Sequence, residues 1–333
     1  MQPMESVRQF LKYNSALRFS VLEREAGLPK GTLAHAVTGS RPLNKNLLDR
    51  LIPILNKYGY DNYLHPNTNG LYTKARVVAV INHKGGAGKT TTTALLGSEL
   101  ARRGYRVLLI DLDPQGNLSQ ILGIEQPEHQ VIQALLTKAP LPVVKISENL
   151  SLAPSDLKLA DAEVQLHQIM FGYLRLKNKI RPLLTDFDYV LIDCPPSLGM
   201  LTTSAMNAAK SCLITLIPDT LATNVANSFL RLYRNVSENT NFELVIDGIV
   251  FTMVKKNSAA DIVKEKISKT LSRNIFKTQI EYMANYQESK AMRTVINAFQ
   301  VNSDVSKSYD NLCEEYIAKL QNVRKRFSYP NRT

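Results

Sequence analysis

Cysteine is scarce in this chain: Cys194, Cys212 and Cys313 stand far apart in 333 residues. They form neither a C-x-x-C pair nor an even set, which argues against a disulfide framework or a thiolate cluster and suits a reducing, cytoplasmic compartment. Packing is the role expected of them. Long apolar runs are missing as well. No stretch approaches the roughly eighteen residues of a membrane-spanning helix, and Met1 to Arg8 lack a basic region followed by an apolar one. The expectation is a protein neither exported nor membrane-spanning. Internal repeats and low-complexity tracts are absent too. What remains is a globular composition, 44% hydrophobic, in a chain longer than one core usually organises. One large domain with a smaller companion is expected.

Charge is present in excess of one sign, +12 net, but unevenly. Residues 1–75 carry ten Lys/Arg against five Asp/Glu, residues 76–250 sixteen against sixteen, and residues 251–333 fifteen against eight. A neutral body with two basic ends suggests two polyanion-facing surfaces. A merely soluble basic surface fits the charge count equally well.

The stretch that organises the chain is His83-Lys84-Gly85-Gly86-Ala87-Gly88-Lys89-Thr90-Thr91. An apolar strand pattern, Val77 to Ile81, enters it, and a helical pattern, Thr92 to Arg103, leaves it and stops at Gly104. Glycines there let the backbone curl until its N–H groups converge on phosphate oxygens, and the helix N-terminus adds its positive dipole end. Lys89 then reaches the β- and γ-phosphates and the Thr90 hydroxyl a magnesium ion. Two more apolar strands end in acids. One is Val107 to Asp111, continuing Leu112-Asp113-Pro114-Gln115-Gly116-Asn117; the other is Tyr189 to Asp193, followed by Cys194-Pro195-Pro196-Ser197. Acids after buried strands lie at the carboxyl edge of a parallel sheet, where ligands bind. Cys212 to Ile217 and Leu244 to Phe251 read as further buried strands. The alternation from 77 to 253 predicts an α/β, doubly wound, mostly parallel sheet.

These motifs carry a resemblance. The usual phosphate loop has glycine where His83 stands, and the sequence KGGxGKTT with its second lysine resembles the deviant Walker A box of the ParA/MinD family of ATPases. DxDPQGN is similar to that family's switch segment and the Asp193-Cys-Pro-Pro-Ser turn to its Walker B end; the likeness covers roughly residues 76–320. It implies ATP and Mg2+ as cofactors, held by Lys84, Gly85, Gly86, Ala87, Gly88, Lys89, Thr90 and Thr91. Asp111 is placed near the magnesium shell, Asp193 binds the ion through water, and Asp113 orients or deprotonates the attacking water. Asn117 faces a homodimer partner, and Pro218, Asp219, Thr252 and Met253 lie near the adenine. Lys89 serves its own nucleotide while Lys84 reaches across the dimer to the partner's, so that ATP binding and dimerisation are one event.

The two basic ends carry separate resemblances. Phe19 to Gly39 reads as a helix, a turn at Gly27 and a second helix, with Leu22, Ala26, Leu28, Leu33 and Val37 inward. It resembles the helix-turn-helix of phage-repressor-like regulators, which places Lys30, Thr32 and His35 at DNA bases and Arg41 at the backbone. Glu23 departs from that pattern, which usually has a small residue there. The other reading of the segment is a helical bundle for protein contacts. A further amphipathic helix runs Leu47 to Tyr58. Near the C-terminus, Lys255, Lys256, Lys264, Lys266, Lys269, Arg273 and Lys277 lie on or beside a helical segment from Ser258 to Leu271, with Lys290 and Arg293 beyond. In ParA-like proteins such residues grip DNA without reading its sequence; a solvated helix face is the plain alternative. Tyr282 and Asn285 stand where relatives commonly place arginines. Leu312, Tyr316 and Leu320 look like a stripe packed on the body, a poor match to a membrane-binding helix.

The resulting expectation is a helix-turn-helix domain at 1–60, a linker at 61–75 and a ParA-like ATPase domain at 76–333. Its implied function is ATP-dependent DNA partition in the cytoplasm, on the nucleoid. A ParB-like centromere-binding partner would stimulate slow hydrolysis, and the N-terminal domain would bind operator DNA. A nucleotide-regulated repressor, or an ATPase that positions a protein assembly, is the alternative.

Overall fold

The computed structural model describes residues 7–8, 11, 19–40, 42–57, 60, 75–255, 258–271, 275–282 and 304–327. The chain divides into two compact units, residues 1–73 and 74–333. Of the expected linker, only Ala75 lies within the described residues.

In the smaller unit, α1 spans Phe19–Glu25, α2 Thr32–Thr38 and α3 Lys45–Lys57. Leu22, Ala26, Leu28 and Leu33 are buried together with Leu48, Leu51 and Leu55 from α3. Val37 is half-buried and packs against this cluster as expected, and Ala36 is buried with it, the two lying four and three residues from Leu33 on the same helix face. A left-handed Gly39, φ 80°, closes α2 by donating its N–H to the Ala36 carbonyl. Glu23 is 4% exposed. Its carboxylate accepts the Leu33 N–H at 2.8 Å and the Gly31 N–H at 3.0 Å, so it caps α2 from outside that helix. A small residue at 23 would leave both donors without that partner.

The larger unit alternates strand and helix. Its elements are β1 Arg76–Ile81, α4 Lys89–Arg102, β2 Val107–Asp111, α5 Asn117–Ile121, α6 Val131–Leu136, β3 Val144–Lys145, β4 Leu150–Ala153, α7 Leu159–Gln168, α8 Arg175–Ile180, β5 Tyr189–Asp193, α9 Met200–Ala208, β6 Ser211–Leu216, α10 Ala222–Asn239, β7 Val245–Phe251, α11 Ser258–Leu271 and α12 Asp304–Phe327. The seven strands are ordered β3-β4-β2-β5-β1-β6-β7. Every neighbouring pair is parallel except β3 with β4. Continuous apolar strands such as Val107–Ile110 are buried on both faces, as helices on both sides of a parallel sheet require. This is the doubly wound α/β sheet of a phosphate-loop protein.

The C-terminal helix α12 belongs to this core. Leu312, Cys313 and Tyr316 are buried and Leu320 packs beside them, as the apolar stripe predicts. The Tyr316 hydroxyl donates to Asp247 Oδ2 at 2.8 Å, and Ser211 Oγ donates to the same oxygen at 2.7 Å. Arg76 adds an ion pair to that carboxylate. The cluster joins the starts of β1 and β6 to β7 and α12, at the edge opposite the carboxyl ends of the strands.

Candidate active site

The carboxyl ends of β1, β2, β5, β6 and β7 all face one edge because these strands run parallel. Register aligns Val80 and Asp111 with Asp193, so the loop after β1 opens beside two strand-terminal acids. Gly86 and Gly88 adopt left-handed backbone, φ 68° and 73°, which other residues rarely adopt, and so turn the chain from β1 into α4. Asn82 braces the start of the loop: its Oδ1 accepts the Lys84 N–H at 2.8 Å and its Nδ2 donates to the Thr215 carbonyl on β6. Thr252, just past β7, braces the other end by donating to the Ala87 carbonyl at 2.9 Å.

Lys89 is the first residue of α4, three positions earlier than the helical pattern alone predicts. Its side chain turns inward, and Nζ lies 3.3 Å from the Lys84 carbonyl. Burial pulls its pKa down, against the pull of Asp193 and Asp113. Thr90 and Thr91 follow on the first turn, whose N–H groups have no partners within the helix. The loop therefore offers free donors, a dipole end and a buried cation to an anion.

The three acids differ in environment. Asp111 is wholly buried; its Oδ2 accepts from Ser119 N at 2.8 Å and Ser119 Oγ at 2.7 Å, and its Oδ1 from the Asp113 N–H at 3.2 Å. Burial nevertheless pushes its carboxyl up to about 7. Asp113 is 6% exposed and accepts the Gln115 N–H at 3.0 Å; burial raises its pKa, with Lys89 opposing. Asp193 is 0% exposed, and among the described residues neither carboxylate oxygen is met by a well-formed hydrogen bond, although the Thr90 hydroxyl is near enough to favour the ion. Burial, then Asp111, drives its pKa well above the usual range, although Thr90 and Lys89 favour the ion. A buried carboxylate with both oxygens unmatched is costly unless a cation or water meets it.

That unmatched Asp193 is the test of fit for magnesium. No group of three or more His, Cys, Asp or Glu able to hold a metal occurs among the described residues. Mg2+ needs no such cage: it keeps its waters, takes one or two carboxylates and shares phosphate oxygens. Asp193 with Thr90 fits that role beside a bound triphosphate. Cys194 has its thiol pushed well up by burial and sits with no base beside it in the hydrogen-bond pattern, so it packs.

Asn117 begins α5 and is exposed. The turn before it needs glycine: Gly116 has φ 62°, and a Cβ there would stand 2.9 Å from the Ser155 carbonyl. Pro218 is buried after β6, and Asp219 forms an ion pair with Lys84. The residues assigned to DNA are scattered over the two units. Lys30 and His35 are exposed on α2 and the turn before it, while the Thr32 hydroxyl donates to the Pro29 carbonyl at 2.6 Å. Lys255 lies 5.0 Å over the Tyr282 ring, Lys264 pairs with Asp261 at 2.7 Å, and Lys277 is exposed. Arg41, Lys256, Arg273 and Arg293 lie outside the described residues. Ser119, Asn82 and the Glu23 cap escape the sequence reading, because only the fold brings to them the Asp111 carboxylate, the Thr215 carbonyl and the N–H groups of Gly31 and Leu33.

With this geometry in place, similarity to known proteins decides the family. The AAA domain family model matches residues 75–246. The chain is 34% identical over 249 residues to the sporulation initiation inhibitor protein Soj of Bacillus subtilis, covering 73% of this chain and 98% of that one. It is 32% identical over 252 residues to the chromosome partitioning protein ParA of Caulobacter vibrioides, covering 73% and 94%. This chain belongs to the ParA/MinD family of ATPases. Among solved structures, the cobyrinic acid a,c-diamide synthase of Mycobacterium smegmatis with bound ADP and magnesium superposes with TM-score 0.60 at 34% identity, over 68% of this chain and 94% of that one. The ATP complex of a Cyanothece McdA variant shares the fold, TM-score 0.67 at 24% identity, over 74% and 97%. No helix among the described residues is long and apolar enough to cross a membrane.

Proposed function

We propose that this protein is a ParA-type partition ATPase that binds Mg2+ and ATP in the loop between β1 and α4, dimerises on doing so and holds DNA in that state. The observation that carries the reading is the Asp193 carboxylate, buried and unmatched beside Lys89, in a loop that also contains a second lysine, Lys84. Soj and ParA relatives, and a neighbour with bound ADP and magnesium, support it.

Each residue has a role in this reading. Backbone N–H groups of Gly85 to Thr91 hold the phosphates, and Lys89 neutralises their charge. Thr90 and Asp193 would hold the magnesium ion with Asp111 near its shell, and the bound ion would withdraw charge from the phosphate oxygens. Asp113 holds and orients the attacking water. Asp111, bonded to Ser119 and the Asp113 N–H, keeps the switch segment against β2. Lys84 of one protomer reaches the nucleotide of its partner, where a cation arriving in trans is worth about 10³-fold or more in rate. Lys84→Ala is expected to bind ATP and lose hydrolysis; turnover at the parental rate refutes the trans role.

The basic residues of α11 and its flanks are assigned to sequence-independent DNA contact, with a ParB-like partner stimulating hydrolysis and release. The N-terminal unit is assigned to operator DNA through the turn and α2. The test is binding of the full chain to an arbitrary duplex with ATP, ADP or no nucleotide across a salt series. Binding that needs ATP and weakens steeply with salt supports the partition reading. A second reading, a nucleotide-tuned repressor, is favoured by the exposed Lys30 and His35 on the smaller unit. Binding confined to a particular sequence, in every nucleotide state, moves the function there.

A further inference from the structure

The ion pair between Lys84 and Asp219 joins two sides of the site. Lys84 opens the phosphate loop, and Asp219 lies in the turn between β6 and α10. The acid is set for this contact. Its Oδ1 accepts the Leu221 N–H at 3.0 Å, its backbone N–H donates to the Ile217 carbonyl at 2.9 Å, and its carbonyl accepts the Ala222 N–H at 3.0 Å. These bonds fix the carboxyl group and leave Oδ2 to take the ammonium of Lys84. The lysine is held as well, since its backbone N–H is bound by Asn82, which is itself tied to β6. Both side chains remain about one-third exposed, 34% and 32%, so the pair can open without unfolding anything.

An ammonium occupied in its own protomer is not available to a neighbouring one. We propose that Asp219 is a positioning residue that latches Lys84 in cis in the nucleotide-free monomer, so that each protomer must open this pair before Lys84 can reach across a dimer. The inference rests on the trans role of Lys84 proposed above. The latch sets the protein and nucleotide concentrations at which dimers form, and it keeps the second lysine away from the protomer's own phosphates. Two latches open per dimer. At the roughly 2- to 5-fold worth of a partly exposed ion pair, removal of both strengthens dimerisation roughly 4- to 25-fold.

The test compares the full-length parent with Asp219→Asn, Asp219→Glu and Lys84→Ala. In the nucleotide-free protein, Lys84 labelling by an amine-reactive reagent, read by mass spectrometry, rises in Asp219→Asn and returns toward the parental level in Asp219→Glu. Sedimentation with Mg–ATP across a protein dilution series then gives a dimer Kd lower by the factor above in Asp219→Asn. Loss of Mg–ADP affinity in the Asp219→Asn monomer assigns this carboxylate to the nucleotide instead. Unchanged labelling shows that the pair does not form and overturns the latch. A dimer Kd that is unchanged or raised, or a large loss of nucleotide affinity, gives Asp219 another role and overturns it too. Should Lys84→Ala dimerise and hydrolyse ATP as the parent does, the trans reading fails instead, whatever the labelling shows.

Discussion

Replacing Thr252 by Val removes one hydroxyl from the phosphate loop and little else. Thr252 is 1% exposed, its Oγ1 donates to the Ala87 carbonyl at 2.9 Å, and its methyl lies over Gly88, where a Cβ would stand 3.6 Å from Thr252 Cβ and Cγ2. Valine keeps that shape. The lost hydrogen bond is worth about 0.5–1.5 kcal/mol net, and up to about 3 kcal/mol if the buried carbonyl finds no substitute partner. Where that loss appears depends on when the bond matters. A loop equally ordered empty and filled shows the whole loss as reduced stability; a loop ordered only by its ligand shows it as reduced affinity, about 2- to 13-fold for the net value. The two losses must add to the same total, since both lie on the path from unfolded chain plus ligand to complex. Urea unfolding without nucleotide and titration with Mg–ADP measure them separately, and Thr252→Ser, which retains the hydroxyl, restores both. If Thr252→Val matches the parent in both within about 0.3 kcal/mol, Thr252 does not brace the loop.

Three further outcomes follow from other sites. Glu23→Ala removes the side-chain cap of α2, which costs about 2 kcal/mol, so hydrogen exchange at the Leu33 amide rises roughly 30-fold; unchanged protection refutes the cap. Tyr316→Phe keeps the ring against Phe276 but removes the bond to the Asp247 carboxylate, with an expected loss of about 1.5–3 kcal/mol in urea; a change under about 0.5 kcal/mol shows that this bond does not help to hold α12. The Asp111 carboxyl, pushed up to about 7 from an ordinary 3.8, binds its proton more tightly folded than unfolded. Stability of the nucleotide-free protein therefore falls as pH rises from about 4 through 7. Asp111→Asn makes this fall shallower, the remainder coming from Asp113 and Asp193, and an unaltered slope assigns it to other groups.

Sequence by itself determined the order of the elements and the chemistry of the loop. Strands that are apolar throughout, such as Val107 to Ile110, can only be buried on both faces, and their alternation with helical periods leaves a parallel doubly wound sheet. The spacing of glycines, lysines and threonines from 84 to 91 is a local requirement of phosphate binding, so it is visible locally. The helix boundaries at Gly39 and Gly104 are legible for the same reason, each glycine having positive φ beyond a helix end. The short antiparallel β3 is not, because Val144–Lys145 has too few residues to show a period.

What tertiary structure alone decided are the pairings between distant residues. Asp111 and Asp193 both end apolar strands and read alike as sequence. Only the folded chain brings Ser119 to one and leaves the other with both oxygens unmatched beside Lys89. Glu23 looks like a flaw in its motif until its carboxylate meets the N–H groups of Gly31 and Leu33. Lys84 and Asp219, 135 positions apart, meet because β1 and β6 are neighbours in the sheet. Charge and polarity are properties of a residue, whereas desolvation and hydrogen bonding belong to its surroundings, and those surroundings arise only when the sheet closes.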